Sequence, residues 1–442
     1  MSDLRERLAR MKSASFAAQT PQAATEPADD GWAKLSARMM ANANGSFVLR
    51  KRRYPLDYRH GMYTLGALAE TAHALTYLLS AGPSGDGNSG TRQAAFAHDA
   101  AGDDADVACR RLLFLDTETT GLGVGAGNMP FMIGLGFLSD DAFVVEQLFL
   151  RNPADEPALL LYLADRLRGF STIVTYNGKS FDWPVLLNRF VLNRMPKPAG
   201  HTAHLDLLHP SRNLWKHTME SCNLGKVEEA QLGIARADDL PGSLAPAYYA
   251  HFLACGDKSL LKPIFAHNES DILTLSVLAH HFARLLAGDV PPERLRADEL
   301  YRAGVWLDKY GRKGLAEQFL RRIAVNRTAE SEPFLSQLAL YFKRKGDLRL
   351  ASELWLALIK ASAAEGRRLM PLDPWIELAK YYEHEAKDID AALSFAEEAL
   401  LLAQAKRSLS RPSGKRQTEL DGLRRRIARL KRKQAGIMVF RP

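Results

Sequence analysis

At 442 residues the chain exceeds what one ordinary hydrophobic core serves, so two or three domains are expected. Its 46% hydrophobic and 25% charged residues exclude a largely disordered or collagen-like protein, and its longest apolar run, Phe131 to Leu138, is far short of the roughly 20 residues of a membrane-spanning helix. The net charge of +8 is a property of the tail: residues 405–442 hold thirteen Lys and Arg against Glu419 and Asp421, a net of +11, which leaves −3 for the rest.

The opening MSDLRERLARMK carries Asp3 and Glu6 and leads into no apolar segment, so no secretory signal is expected. Cys109, Cys222 and Cys255 are scattered and form no CxxC pair, which argues against a disulfide framework or a structural zinc site and fits a cytoplasmic protein. Residues 1–45 read as a disordered or partly helical segment, with Ser13 to Gly31 a polar, Pro-interrupted linker. Residues 46–80 read as a short strand followed by a helix, and 81–106, dominated by Gly, Ala, Ser and Asp, as a flexible linker.

From Arg111 the runs RLLFLD, PFMIGLGFL and AFVVEQLFL predict three consecutive strands, Glu156 to Arg168 a helix, and TIVTYN a buried strand. Residues 107–290 are therefore expected to form an α/β domain, a mixed sheet with an antiparallel edge flanked by helices. Over 295–404 strand signals cease and helical periodicity carries a tetratricopeptide (TPR)-like spacing: Trp375, Leu378, Ala379 and Tyr382; Leu335, Leu338, Ala339 and Phe342, then Ala351 and Trp355; more weakly Leu300, Gly304, Ala316 and Leu320. An all-α repeat domain is expected there, with an ordinary bundle as the alternative. Residues 405–442 form a basic helix and tail in which Leu420, Leu423, Ile427 and Leu430 recur at helical spacing. A capping helix with a solvated basic face and a nucleic-acid contact are equally good readings of it.

The chemistry is concentrated in three segments. In LFLDTETTG, Asp116 and Glu118 lie two apart at the end of an apolar strand and so point to one face, followed by turn-forming Thr119, Thr120 and Gly121. In VTYNGKSFDWP a buried strand ends at a turn through Asn177 and Gly178, and Asp182 opens the next helix. In FAHNESDILTL, one helix from Pro263 to about Leu286 would stack His267 on Asp271; Asn268 as an N-cap would instead leave His267 on a loop. Four carboxylates, Asp116, Glu118, Asp182 and Asp271, suit two hard divalent ions, Mg²⁺ or Mn²⁺, in phosphodiester hydrolysis, with His267 placed to orient or deprotonate water. Thr119, Thr120, Asn177 and Lys179 are candidate substrate contacts.

With these motifs the chain resembles DEDD-type exonuclease domains of the ribonuclease H-like superfamily, and more closely the bacterial YprB-like group. HLDLLHPSRNLWK, SCNLGKVE and RADDLPG also resemble that group's pattern. The third motif has the spacing of the superfamily's tyrosine subgroup but carries His267 in the tyrosine's place. The resemblance implies a 3′ to 5′ exonuclease on single-stranded RNA or DNA, Asp116 bridging two ions, and a trailing repeat domain; the TPR-like repeats themselves suggest a protein partner. A binding module without turnover and a structure-specific endonuclease are the competing expectations.

Other signals read as structural. GLGVGA, residues 121–126, matches a dinucleotide-binding fingerprint but precedes a strand, so a hairpin over the site is expected. Asp206 reads either as a fifth carboxylate near the site or as a strand-end residue with a structural role, the second preferred. His204, His209 and His217 lack zinc-ligand spacing, and Trp183 and Trp215 read as core residues before base-stacking ones.

Overall fold

The computed structural model describes residues 31–80, 109–121, 123, 125, 127–198, 203–236, 240–364, 371–408 and 414–439. The expected linker at 81–106 lies outside the described residues, as do Asp238 and Asp239 of the RADDLPG stretch. Among the described residues, no helix is long and apolar enough to cross a membrane.

The three predicted strands form a meander: β5 (Leu112–Thr119), β6 (Pro130–Leu138) and β7 (Ala142–Phe149) pair antiparallel. Their near-continuous apolar runs are buried on both faces, which requires cover on both sides. β5 pairs parallel with β8 (Thr172–Thr175), and β8 with β9 (Ala203–Asp206). One face buries Leu113, Leu115, Ile133 and Leu148 under helices α1 (Glu156–Leu167), α2 (Asp182–Leu192) and α4 (Ala245–Cys255). The other buries Phe114, Phe143 and Val174 under the turns at 65–80, α3 (Leu208–Trp215) and the C-terminal half of α5 (Lys262–Ala287).

The N-terminal region differs from expectation. Residues 37–42, placed in a disordered or partly helical segment, form β1 (Ala37–Asn42), which pairs with β2 (Gly45–Pro55). The cause is local and tertiary: the Asn44 amide donates to Asn42 Oδ1 at 3.0 Å in the turn, and Trp32 buries itself against Phe149 and Phe252. β2 then pairs antiparallel with β7, giving a seven-stranded order β1-β2-β7-β6-β5-β8-β9. A two-residue ribbon, β3 (Arg59–His60) and β4 (Tyr63–Thr64), follows.

Beyond residue 295 all described elements are helical: α6 (Ala297–Lys309), α7 (Lys313–Val325), α8 (Leu335–Lys345), α9 (Leu348–Ala364), α10 (Asp373–His384), α11 (Ile389–Ser408) and α12 (Gly414–Val439), with one 3₁₀ turn, Ala329–Phe334, before α8. Small residues set the close approaches. A Cβ on Gly304 of α6 would stand 2.6 Å from Leu320 of α7, and Ala339, Ala351, Ala379 and Ala392 are fully buried. Phe282 of α5 stacks on Trp306 at 5.8 Å, so the first helices share a core with the sheet domain.

The apolar stripe of α12, Leu420, Leu423, Ile427 and Leu430, is buried, as a capping helix requires. Part of its basic face is consumed within the fold: Arg426, Arg429 and Lys433 surround Glu383 of α10 at 2.7–2.9 Å, and that carboxylate is fully buried. Although burial alone would raise it, the hydrogen bonds and charges of Arg429 and Lys433 hold Glu383 down at about 2 against an ordinary 4.5. A depressed carboxylate contributes stability above its unfolded pKa and loses it as pH falls through the folded one. At ~1.4 kcal/mol per pH unit, Glu383→Gln is expected to cost roughly 3 kcal/mol at pH 7 and almost nothing near pH 2, read by urea unfolding at both values.

Candidate active site

Asp116 and Glu118 lie near the end of β5, and a bulge between Glu118 and Thr119 shifts the register before the last pair with β6, Thr119 with Pro130. Opposite Asp116 in register is Gly134. Its missing side chain admits Asn268 of α5, whose amide donates to Asp116 Oδ2 at 3.0 Å; a Cβ on Gly134 would stand 2.4 Å from the Asn268 oxygen. Gly134→Ala is therefore expected to push α5 off the sheet, costing ~1–3 kcal/mol of stability as overpacking does and misplacing His267 and Asp271 with it. Thermal unfolding of the variant checks the first effect.

α5 runs unbroken through the third motif, so Asn268 is interior and the N-cap alternative is set aside. His267 and Asp271 stack one turn apart, with His267 Nε2 3.5 Å from Asp271 Oδ2 and 3.9 Å from Glu118 Oε1. Asp182 opens α2 and accepts a hydrogen bond from the Thr117 hydroxyl. The four carboxylates thus arrive from three separate elements and share one space. Burial, then Asp271, Asp182 and Glu118 in turn, push the Asp116 carboxyl well above its ordinary range. Burial likewise pushes Asp182 up to about 6, against the hydrogen bond from Thr117.

Each carboxylate also meets a protein partner: Asn268 on Asp116, Thr117 on Asp182, Arg236 on Asp271, and His267 beside Glu118. Among the described residues, no three His, Cys, Asp or Glu side chains are already drawn into a metal-holding group.

The remaining predicted residues frame this centre. Asn177 and Lys179 have exposed side chains, and their backbone amides donate to Asp206 at 2.8 and 3.1 Å, which makes Asp206 the anchor of the second-motif turn. The buried Thr119 hydroxyl donates to the Gly121 carbonyl, while Thr120 is exposed and accepts from the Met129 amide. Leu122, Val124 and Ala126 of the glycine-rich run lie outside the described residues; the Asn128 amide donates to the Gly123 carbonyl, and the described element that follows is β6, not a helix. Trp215 stacks on Phe282 in the core; His204 bonds Thr175 and meets the Trp183 ring edge-on; His209 and His217 are exposed.

Two groups of functional neighbours had no assigned role. Arg236 reaches Glu228 at 2.7 Å, Asp271, and His267 Nδ1 at 3.4 Å. Behind Asn268, the amide of Gln147 donates to its oxygen at 2.9 Å, Arg50 of β2 donates to Gln147 at 2.6 Å and to Glu269 at 2.8 Å, and Tyr54 closes the network on Glu269. Asn268 and Glu269 lie inside the third motif, and Glu228 and Arg236 inside stretches that already carried the resemblance, so position was their one sequence signal.

Residues 113–283 match the RNase_H_2 family of the RNase_H superfamily. The uncharacterized protein YprB of Bacillus subtilis (strain 168) is 34% identical over 395 residues, 87% of this chain and 86% of that protein. A family B DNA polymerase of the archaeon Pyrobaculum calidifontis aligns at 17% identity and a TM-score of 0.33 over 46% of this chain and 29% of its own, a likeness too slight to argue from.

Proposed function

The chain belongs to the YprB family and carries an RNase H-superfamily domain, and from this premise we propose that it is a metal-dependent nuclease, a 3′ to 5′ exonuclease of single-stranded RNA or DNA. The observation that carries the reading is the crowding of Asp116 by Asp271, Asp182 and Glu118, an excess of buried negative charge that calls for cations. The donor set fits: carboxylate oxygens are the ligands of hard Mg²⁺ or Mn²⁺. Asp116, Glu118, Asp182 and Asp271 would hold two such ions, which when bound polarise the phosphate and activate water. His267 orients an oxygen beside Glu118 and Asp271. The exposed Thr120, Asn177 and Lys179 would contact the backbone of the bound strand, and the Thr119 hydroxyl holds the Gly121 carbonyl beside Thr120.

The helices beyond residue 295 are proposed as TPR-like repeats that dock a protein partner, supported by buried alanines at the repeat positions. Purified protein incubated with 5′-labelled single-stranded RNA and DNA, with Mg²⁺, Mn²⁺ or EDTA, tests the activity. A metal-dependent ladder shortening from the 3′ end is the expected result. Cleavage of circular substrates would identify an endonuclease, and no cleavage of either polymer would leave a binding module.

A further inference from the structure

We infer that His267 works as a fixed N–H donor through Nε2, with Arg236 as the positioning residue that holds its Nδ1 lone pair. The tautomer follows from the directions in which hydrogen bonds can run. A guanidinium has five donors and no acceptor, so Arg236 Nη1, 3.4 Å from His267 Nδ1, meets a lone pair there. The ring proton of the neutral imidazole is then on Nε2. That nitrogen faces two acceptors, Asp271 Oδ2 at 3.5 Å and Glu118 Oε1 at 3.9 Å.

Arg236 is fixed in its turn. Glu228, whose side chain is 2% exposed, accepts from Arg236 Nη2 at 2.7 Å and from the Thr274 hydroxyl at 2.7 Å. With its hydrogen spent on Glu228, Thr274 Oγ1 accepts from His60 Nε2 of the β3–β4 ribbon at 2.9 Å. The N-terminal ribbon is thereby tied to the third motif by bonds that each run one way, from His60 through Thr274 to Glu228 and from Arg236 to Glu228, Asp271 and His267.

A proton acceptor needs a free lone pair facing the reacting oxygen. Here the lone pair faces Arg236, and the N–H faces the carboxylates. An oxygen lying between them, of water or of a phosphate, is positioned by His267 through its Nε2–H. This consequence for hydrolysis rests on the nuclease reading; the tautomer does not.

The test uses the full chain labelled with ¹⁵N-histidine, metal-free and near neutral pH, with the His267 signals assigned by their disappearance in His267→Gln. Long-range ¹H–¹⁵N spectra are expected to give a protonated Nε2 and a pyridine-type Nδ1. A proton on Nδ1, or on both nitrogens, overturns the inference, and the wild-type spectrum decides this even if Arg236→Gln fails to fold. Where that variant folds, it is expected to mix the tautomers; an unchanged spectrum overturns the role of Arg236. In the cleavage assay His267→Gln, whose amide restores an N–H donor, should stay within about tenfold of wild type while His267→Ala loses about 10²-fold or more. Equal losses in the two overturn the donor role. An inactive wild type sinks the nuclease reading and leaves the spectrum to judge the tautomer.

Discussion

Asp116→Asn and Asp182→Asn are expected to abolish hydrolysis and, in the same preparations, to raise the melting temperature of the metal-free chain at neutral pH. Losing a ligand removes several kcal/mol of charge stabilisation in the transition state, a rate loss on the order of 10³-fold. The stability gain has the opposite sign because these carboxylates are crowded and buried. Asp182 titrates at about 6 in the fold against an ordinary 3.8. A carboxylate with a raised folded pKa contributes stability that is fully present below the unfolded value and is lost as pH rises through the folded one. From Asp182 alone, roughly 3 kcal/mol should disappear between about pH 4 and pH 6, at ~1.4 kcal/mol per unit. Asp116 is shifted in the same direction and adds to the trend. Calorimetry in EDTA across that range should therefore record a falling melting temperature, flattened in Asp182→Asn and reversed by saturating Mg²⁺. A wild-type profile that is level from pH 4 to pH 7 would contradict the crowding on which the proposed function depends.

The second large effect is expected at Arg50, remote from the motifs in sequence. Arg50 is 9% exposed and donates to both Gln147 and Glu269 from β2. Arg50→Met strands the buried Glu269 carboxylate, with Arg52 at 3.8 Å its nearest remaining cation. Breaking a buried pair on one side costs ~3–5 kcal/mol. It also leaves the Gln147 oxygen without its Arg50 donor, with the Phe265 carbonyl and Asn268 still holding its amide, and so loosens the support of the Asn268 amide that holds Asp116. Urea unfolding should record the loss, and cleavage should fall with it. Arg50→Met combined with Glu269→Leu removes both charges and is expected to recover much of the stability, as exchanges of whole buried pairs do. If the double variant is no more stable than the single one, the cost lies elsewhere than in the stranded charge.

The meander, the first crossover helix and the four motif carboxylates were legible because their signals are local: apolar runs, a strand ending in a turn, two acids at a spacing of two. Arg236 was not, since a single arginine in a loop has no period, and its partners Glu228, His267 and Asp271 lie 8, 31 and 35 residues away. Arg50 was hidden differently. It is one of four consecutive basic residues, and the register Arg50↔Gln147 alone turns it inward while Lys51, Arg52 and Arg53 stay exposed. β1 escaped because its cover, Trp32 on Phe149 and Phe252, comes from residues more than 100 positions away.

The pairing of β2 with β7 also bears on how the chain survives its own synthesis. Val48 must wait for Phe149, its partner across the sheet, so a strand carrying Phe47, Val48 and Leu49 emerges from the ribosome with β1 on one edge but about a hundred residues before β7 can close the other. An uncovered apolar strand invites pairing between neighbouring nascent chains. The basic run at 50–53 follows those three residues directly, and like-charged flanks keep such strands apart until the native partner arrives. One stretch of four cations thus serves twice: as a gatekeeper while the domain is incomplete, and, through Arg50 alone, as a support of the finished centre.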